Sequence, residues 1–110
     1  MIHDTIGKIQ THIQGTTSLK DENKQELLNL LTTLKSEINE LSKTHGEEAQ
    51  SIAGFTQVSA HEAMRGQPDP RLLQLALGGL SSSVAGFEKS HPRLVEIVNS
   101  ICTTLSNLGI

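Results

Sequence analysis

The stretch LLQLALGGLSSSVAGF, residues 72–87, decides the fold: it runs for sixteen residues without a charge, between Arg71 and Glu88. Within it Leu73, Leu77, Leu80, Val84 and Phe87 recur at steps of four, three, four and three, which places them on one stripe of a helix. Gly78, Ser82 and Gly86 follow one another at steps of four along a neighbouring, nearly flat face. A helix that is apolar on one side, small on another and charged nowhere is poorly matched to full exposure. Burial between helices or between subunits is therefore expected. Close approach of another element would offset the helix propensity lost at Gly78 and Gly79.

Working outward, Gly66-Gln67-Pro68-Asp69-Pro70 is the clearest break, with Asp69 placed to cap a helix that has Pro70 in its first position. On the other side, Pro92 forbids a straight helix through Glu88-Lys89-Ser90-His91, so Ser90 is expected to cap a last helix. That helix carries Leu94, Ile97, Val98, Ile101, Cys102, Leu105 and Leu108, ends at Gly109, and has Glu96 as its single charge after Arg93.

Towards the N-terminus the strongest pattern is Leu27, Leu31, Leu34, Ile38 and Leu41, a heptad spacing over about two heptads, too short for a rod and suited to a hairpin or bundle. Its helix is expected to start near Leu19, capped by Ser18, and to end or bend at Gly46. Before it, Ile2, Ile6, Ile9 and Ile13 form a narrow stripe closed by a left-handed Gly15. Residues 46–66 read as a further helix of small residues: Ala49, Ile52, Ala53, Ala60, Ala63 and Met64. The expectation is an all-α bundle of four or five helices in antiparallel hairpins. It forms one domain over 1–110, with an N-terminal hairpin (1–45), the helix of small residues (46–66) and an uncharged helix pair (69–110).

Aromatic residues make up 2% of the 110, so the core must rest on aliphatic side chains or on surface shared with a second copy. A homo-oligomer is expected, with another protein as the further partner to consider. Twelve acidic against nine basic residues, and no basic patch, disfavour nucleic acid. No run reaches the roughly 20 apolar residues of a membrane span, and the start lacks a signal-peptide pattern. The chain reads as cytoplasmic, with no membrane partner; peripheral membrane association through residues 72–87 lacks the flanking basic cluster such binding needs.

The run Phe87-Glu88-Lys89-Ser90-His91-Pro92-Arg93-Leu94, with Leu105-Ser106-Asn107-Leu108-Gly109-Ile110, resembles a small uncharacterised bacterial family. Its members carry a Phe-Glu-x-Ser-His-Pro-x-Leu segment and end in Leu-x-Asn-hydrophobic-Gly-Ile. The resemblance extends to the Leu-rich helix of residues 19–41, and beside the family's shorter members residues 46–66 look like an inserted helix. It implies a small helical bacterial protein with no assigned activity, and so supplies no chemistry.

Five histidines invite a metal reading. Glu88-x-x-His91 has the spacing by which ferritin-like bundles hold two metal ions, but such a site needs further carboxylates on facing helices. His61-Glu62 begins a zinc-protease helix, and Arg65 stands where its second histidine must be. His45 falls on the apolar stripe of its helix, where a structural role is expected. Cys102 sits on an apolar face without a neighbouring base. The reading is a self-associating interaction or assembly module, without catalysis or cofactor, whose interface holds Leu73, Leu77, Gly78, Ser82 and Gly86. The alternative is a metal- or small-ligand-binding bundle using Glu88 and His91, with His61 or Glu62 as further contributors.

Overall fold

The computed structural model describes residues 2–17 and 19–108, the side chains of residues 2–4 excepted. It contains α1 (Ile2–Gly15), α2 (Asp21–Ser42), α3 (Gly46–Ala63), α4 (Pro70–Ser83) and α5 (Pro92–Leu108). The fold is all-α, with no strand among the described residues. Its radius of gyration, 13.0 Å, is that of one compact unit of about 100 residues.

Helix α3 is the hub: it packs against α1, α2, α4 and α5, most extensively against α4. Small buried residues, Ala49, Ala53, Ser59, Ala60 and Ala63, make this possible. They let neighbouring axes come close, and the neighbours supply the volume. The largest fully buried side chains are Leu27, Leu31, Leu34, Ile38 and Leu41 of α2 with Ile6, Ile13, Leu80, Leu94, Ile101 and Leu105 from α1, α4 and α5, and α3 adds one, Ile52. The heptad stripe of α2 is thus buried along its whole length against α1, α3 and α5.

Several ends differ from the sequence expectation, each for a local reason. α1 ends at Gly15 without a left-handed residue; the Thr16 hydroxyl donates to His12 O (2.8 Å) and closes the last turn. α2 starts at Asp21, two residues after Leu19, behind Lys20, which offers no capping side chain. The expected cap, Ser18, lies outside the described residues, as do Gly109 and the last position of the terminal motif. Asp21 and Glu22 occupy the first turn, where the helix dipole favours them. Gly46 opens α3 and does not end α2, which stops at Ser42, so His45 sits in the connecting turn and not on a helix stripe.

Asp69 caps α4 as its sequence implies, accepting from the N–H of Arg71 (3.0 Å) and Leu72 (3.4 Å), with Pro70 in the first position. The far end is shorter than the uncharged run. α4 stops at Ser83, and Val84 to Phe87 form turns that close on Ser81, Ser82 and Val84. Serine hydroxyls compete for helical carbonyls, as Ser83 does for Leu80 O (2.6 Å), and Gly86 adopts φ +97°. α5 begins at Pro92 itself. Ser90 does not cap it: its hydroxyl pairs with His91 Nδ1 (2.9 Å), and His91 O takes the first helical bond, from Val95 N–H.

Candidate functional site

Glu88 and His91, the metal pair suggested by spacing, are not on one helix. Residue 88 lies in the α4–α5 turn, where its carboxylate accepts from the N–H of Gly86 (2.8 Å). This bond stabilises the left-handed turn and takes one carboxylate oxygen. His91 instead joins a ring cluster: Phe87 stands edge-on to it with centroids 5.6 Å apart, and His45, from the α2–α3 turn, lies 5.3 Å from Phe87 and 6.2 Å from His91. All three pairs are near perpendicular, the arrangement ring quadrupoles favour. Each histidine meets a preceding hydroxyl through Nδ1, His45 that of Thr44 (2.8 Å) and His91 that of Ser90 (2.9 Å). The cluster pins two inter-helix turns together. Arg93 and Glu37 (3.9 Å) reach across the same α2–α5 contact.

No group of three or more His, Cys, Asp or Glu among the described residues is placed to hold a metal ion. His61 and Glu62 are separate in role as well: Glu62 pairs with Arg65 (2.8 Å), while His61 turns towards α1. Cys102 is half-buried, its thiol directed to Leu77 O (3.9 Å), and desolvation pushes the thiol above its ordinary value of 9.0. A raised thiol is a poor nucleophile.

The five residues expected at an interface fall into different environments. Leu73 is 4% exposed and belongs to the core of the protomer. Leu77 is half-buried against α5. Gly78 and Ser82 are exposed on α4; Gly86 is exposed too, but in the turn after the helix. The sequence reading missed the apolar surface beside them. Leu75 is 69% exposed and Leu72 40%, on α4, while Phe55 and Val58 of α3 are 40% and 48% exposed. A signal for it exists: Leu72 and Leu75 lie off the Leu73–Leu77–Leu80 stripe, apolar residues to spare once the buried face is filled.

Helical spacing puts Leu72, Leu75 and Gly79 on one face of α4 and Phe55 and Val58 on one face of α3, and the contact of Phe55 with Gly79 joins the two. The Phe55 ring lies directly on Gly79, so closely that a Cβ there would stand 2.6 Å from Cδ1. That contact sets the antiparallel register. Three residues further along α3 and four back along α4, Val58 comes abreast of Leu75, about 5 Å along the axis by the 1.5 Å rise. Gly79 is therefore the residue on which a close approach rests, and Gly78 is not, since nothing lies within 4 Å of its Cβ position.

No helix among the described residues is long and apolar enough to cross a membrane. The chain matches no curated protein and no solved structure. Residues 27–110, from the buried stripe of α2 through the ring cluster to the end of α5, match the sequence signature of one family, and the chain belongs to it: the domain of unknown function DUF4404.

Proposed function

We propose that this domain is a non-catalytic interaction module that self-associates through the α3–α4 face. The observation that carries the reading is the exposure of Leu75, 69%, at the centre of a face that is apolar and uncharged along α4. The exposed parts of Phe55, Val58, Leu72 and Leu75 amount to about 350 Å² per protomer, the size of a patch that is commonly functional. A second copy fits it best. A two-fold contact brings each patch against itself, and an uncharged patch does so without like-charge repulsion in a chain of net charge −3. Gly78 and Ser82 form a flat flank that permits a close second helix. Leu73 and Leu77 act from within the protomer, holding α4 in place.

The non-catalytic part rests on where the reactive groups are directed: Glu88 to a turn, both ring-cluster histidines to adjacent hydroxyls, and Cys102 to a helical carbonyl. The patch covers less than half of the ~800 Å² per partner of a standard interface, so a dimer of about 10–100 µM Kd is expected. Sedimentation equilibrium between about 5 and 500 µM tests this. Wild type is expected to pass from monomer to dimer, and Leu75→Glu, which sets two carboxylates across the axis, to stay monomeric with unchanged helicity. A wild type that remains monomeric at the top concentration overturns the self-association reading.

A further inference from the structure

We infer that the groove between α1 and α3 binds a small organic anion, a carboxylate carried on a short apolar arm. Lys8 and His12, one turn apart on α1, form one wall; Gln57 and His61, one turn apart on α3, form the other. The floor is Ile9 and Ala60, 5% and 3% exposed, and Met64 closes one end. The opening measures about 220 Å³, enough for a ligand of benzoate size.

The chemistry of the walls selects the ligand. The side chains of Lys8, His12, Gln57 and His61 make no hydrogen bond or ion pair among the described residues. All four present N–H groups, Lys8 carries a positive charge, and among the described residues no carboxylate lines the groove. Glu62, next to His61, is engaged by Arg65 at 2.8 Å. Exposed donors on both walls flank an apolar floor, the pattern of a site that orients a charged head while covering a hydrocarbon arm. A lysine on the wall opposes a metal cation between the two imidazoles. The groove owes its room to Ala60, whose methyl leaves the floor low where a leucine would fill it.

This site is independent of the α3–α4 face, and its test does not depend on dimerisation. Benzoate is titrated into the full chain and followed by amide shifts, with benzyl alcohol as the uncharged analogue. Saturable shifts are expected at Ile9, Ala60 and His61, with Kd of millimolar order for so small a ligand. Lys8→Met, which keeps the aliphatic stem, should weaken benzoate at least fivefold and leave benzyl alcohol unchanged. Ala60→Leu should weaken both at least tenfold while the protein stays folded. Absence of saturable shifts, equal binding of the two probes, or undiminished benzoate binding by either variant overturns the proposal.

Discussion

Gly78 and Gly79 are adjacent in sequence and in helix α4, yet the structure assigns opposite signs to the same substitution. At Gly78 nothing lies within 4 Å of an added Cβ, and the residue is exposed. Gly78→Ala should therefore gain the helix propensity difference, about 0.5–1 kcal/mol. At Gly79 the added carbon meets the edge of the Phe55 ring, with Cδ1 at 2.6 Å and Cζ at 3.0 Å. The ring is 40% exposed and can swing outward. Doing so returns about 100 Å² of apolar surface to water, about 2.5 kcal/mol at 25 cal/mol per Å², an upper bound because the unfolded chain is itself partly collapsed. Set against a propensity gain of about 1 kcal/mol, Gly79→Ala should be destabilising by up to about 1.5 kcal/mol.

The assay is urea unfolding followed by far-ultraviolet circular dichroism at low micromolar concentration, where association adds nothing to stability. Phe55→Ala supplies the decisive background. With the ring gone, Gly79→Ala should become stabilising by about 1 kcal/mol, and the double-mutant cycle should report a coupling of about 1–2.5 kcal/mol between positions 55 and 79. Equal effects of the two alanine substitutions in the wild-type background, or no change of sign when Phe55 is removed, would refute the reasoning about the α3–α4 contact.

Three further predictions concern single groups. Ser59 is fully buried on α3 and its hydroxyl has no partner among the described residues, so Ser59→Ala should raise stability by about 1 kcal/mol in the same unfolding assay. Asp69→Ala removes the acceptor for the Arg71 and Leu72 N–H groups and should lower the melting temperature by about 4–6 °C, about 1 kcal/mol, with Asp69→Asn, which keeps an Oδ1 acceptor, recovering most of the loss. Desolvation raises the Cys102 thiol above 9.0, so alkylation by iodoacetamide at pH 8 should run slower than in the urea-unfolded chain. The folded state holds that proton more tightly than the unfolded one. Its contribution to stability is thus complete below about pH 9 and lost as the pH rises through the folded value, to be read as a falling urea midpoint.

The helices with large side chains could be read from sequence because their periodicity is the same physical fact as their burial. Leu27, Leu31, Leu34, Ile38 and Leu41 are all 1% exposed or less, and Asp69-Pro70 marks the start of α4 to the residue. Ends governed by local hydrogen bonding were less legible. Whether Ser90 caps α5 or turns to His91 depends on the backbone path through Gly86, which a Ser-His-Pro string does not encode. His45 joins Phe87 and His91 from across the chain, a distance that periodicity cannot span; only the Phe87–His91 pair has helical spacing.

The larger displacement is of the organising centre, from α4 to α3, and it follows from how helices share volume. A central helix that four others approach must be thin, so beside Ile52 and Thr56 its buried positions become Ala49, Ala53, Ser59, Ala60 and Ala63, residues that contribute little to any apolar pattern. Its neighbours carry the leucines and isoleucines that fill the space, and their patterns dominate the sequence. A quiet stretch of small residues between loud amphipathic helices is therefore what the hub of such a bundle looks like. The same thinness accounts for both proposed surfaces. Along α3, Gln57, Ala60 and His61 face α1 over a floor left low by Ala60, while Phe55 reaches over a glycine on α4 and, like Val58, out to solvent. Enlarging Ala60 closes the groove, and enlarging Gly79 lifts the Phe55 ring. One helix thus couples the stability of the core to the shape of both faces, and substitutions that separate those effects must be made on its neighbours, at Lys8 of α1 and Leu75 of α4.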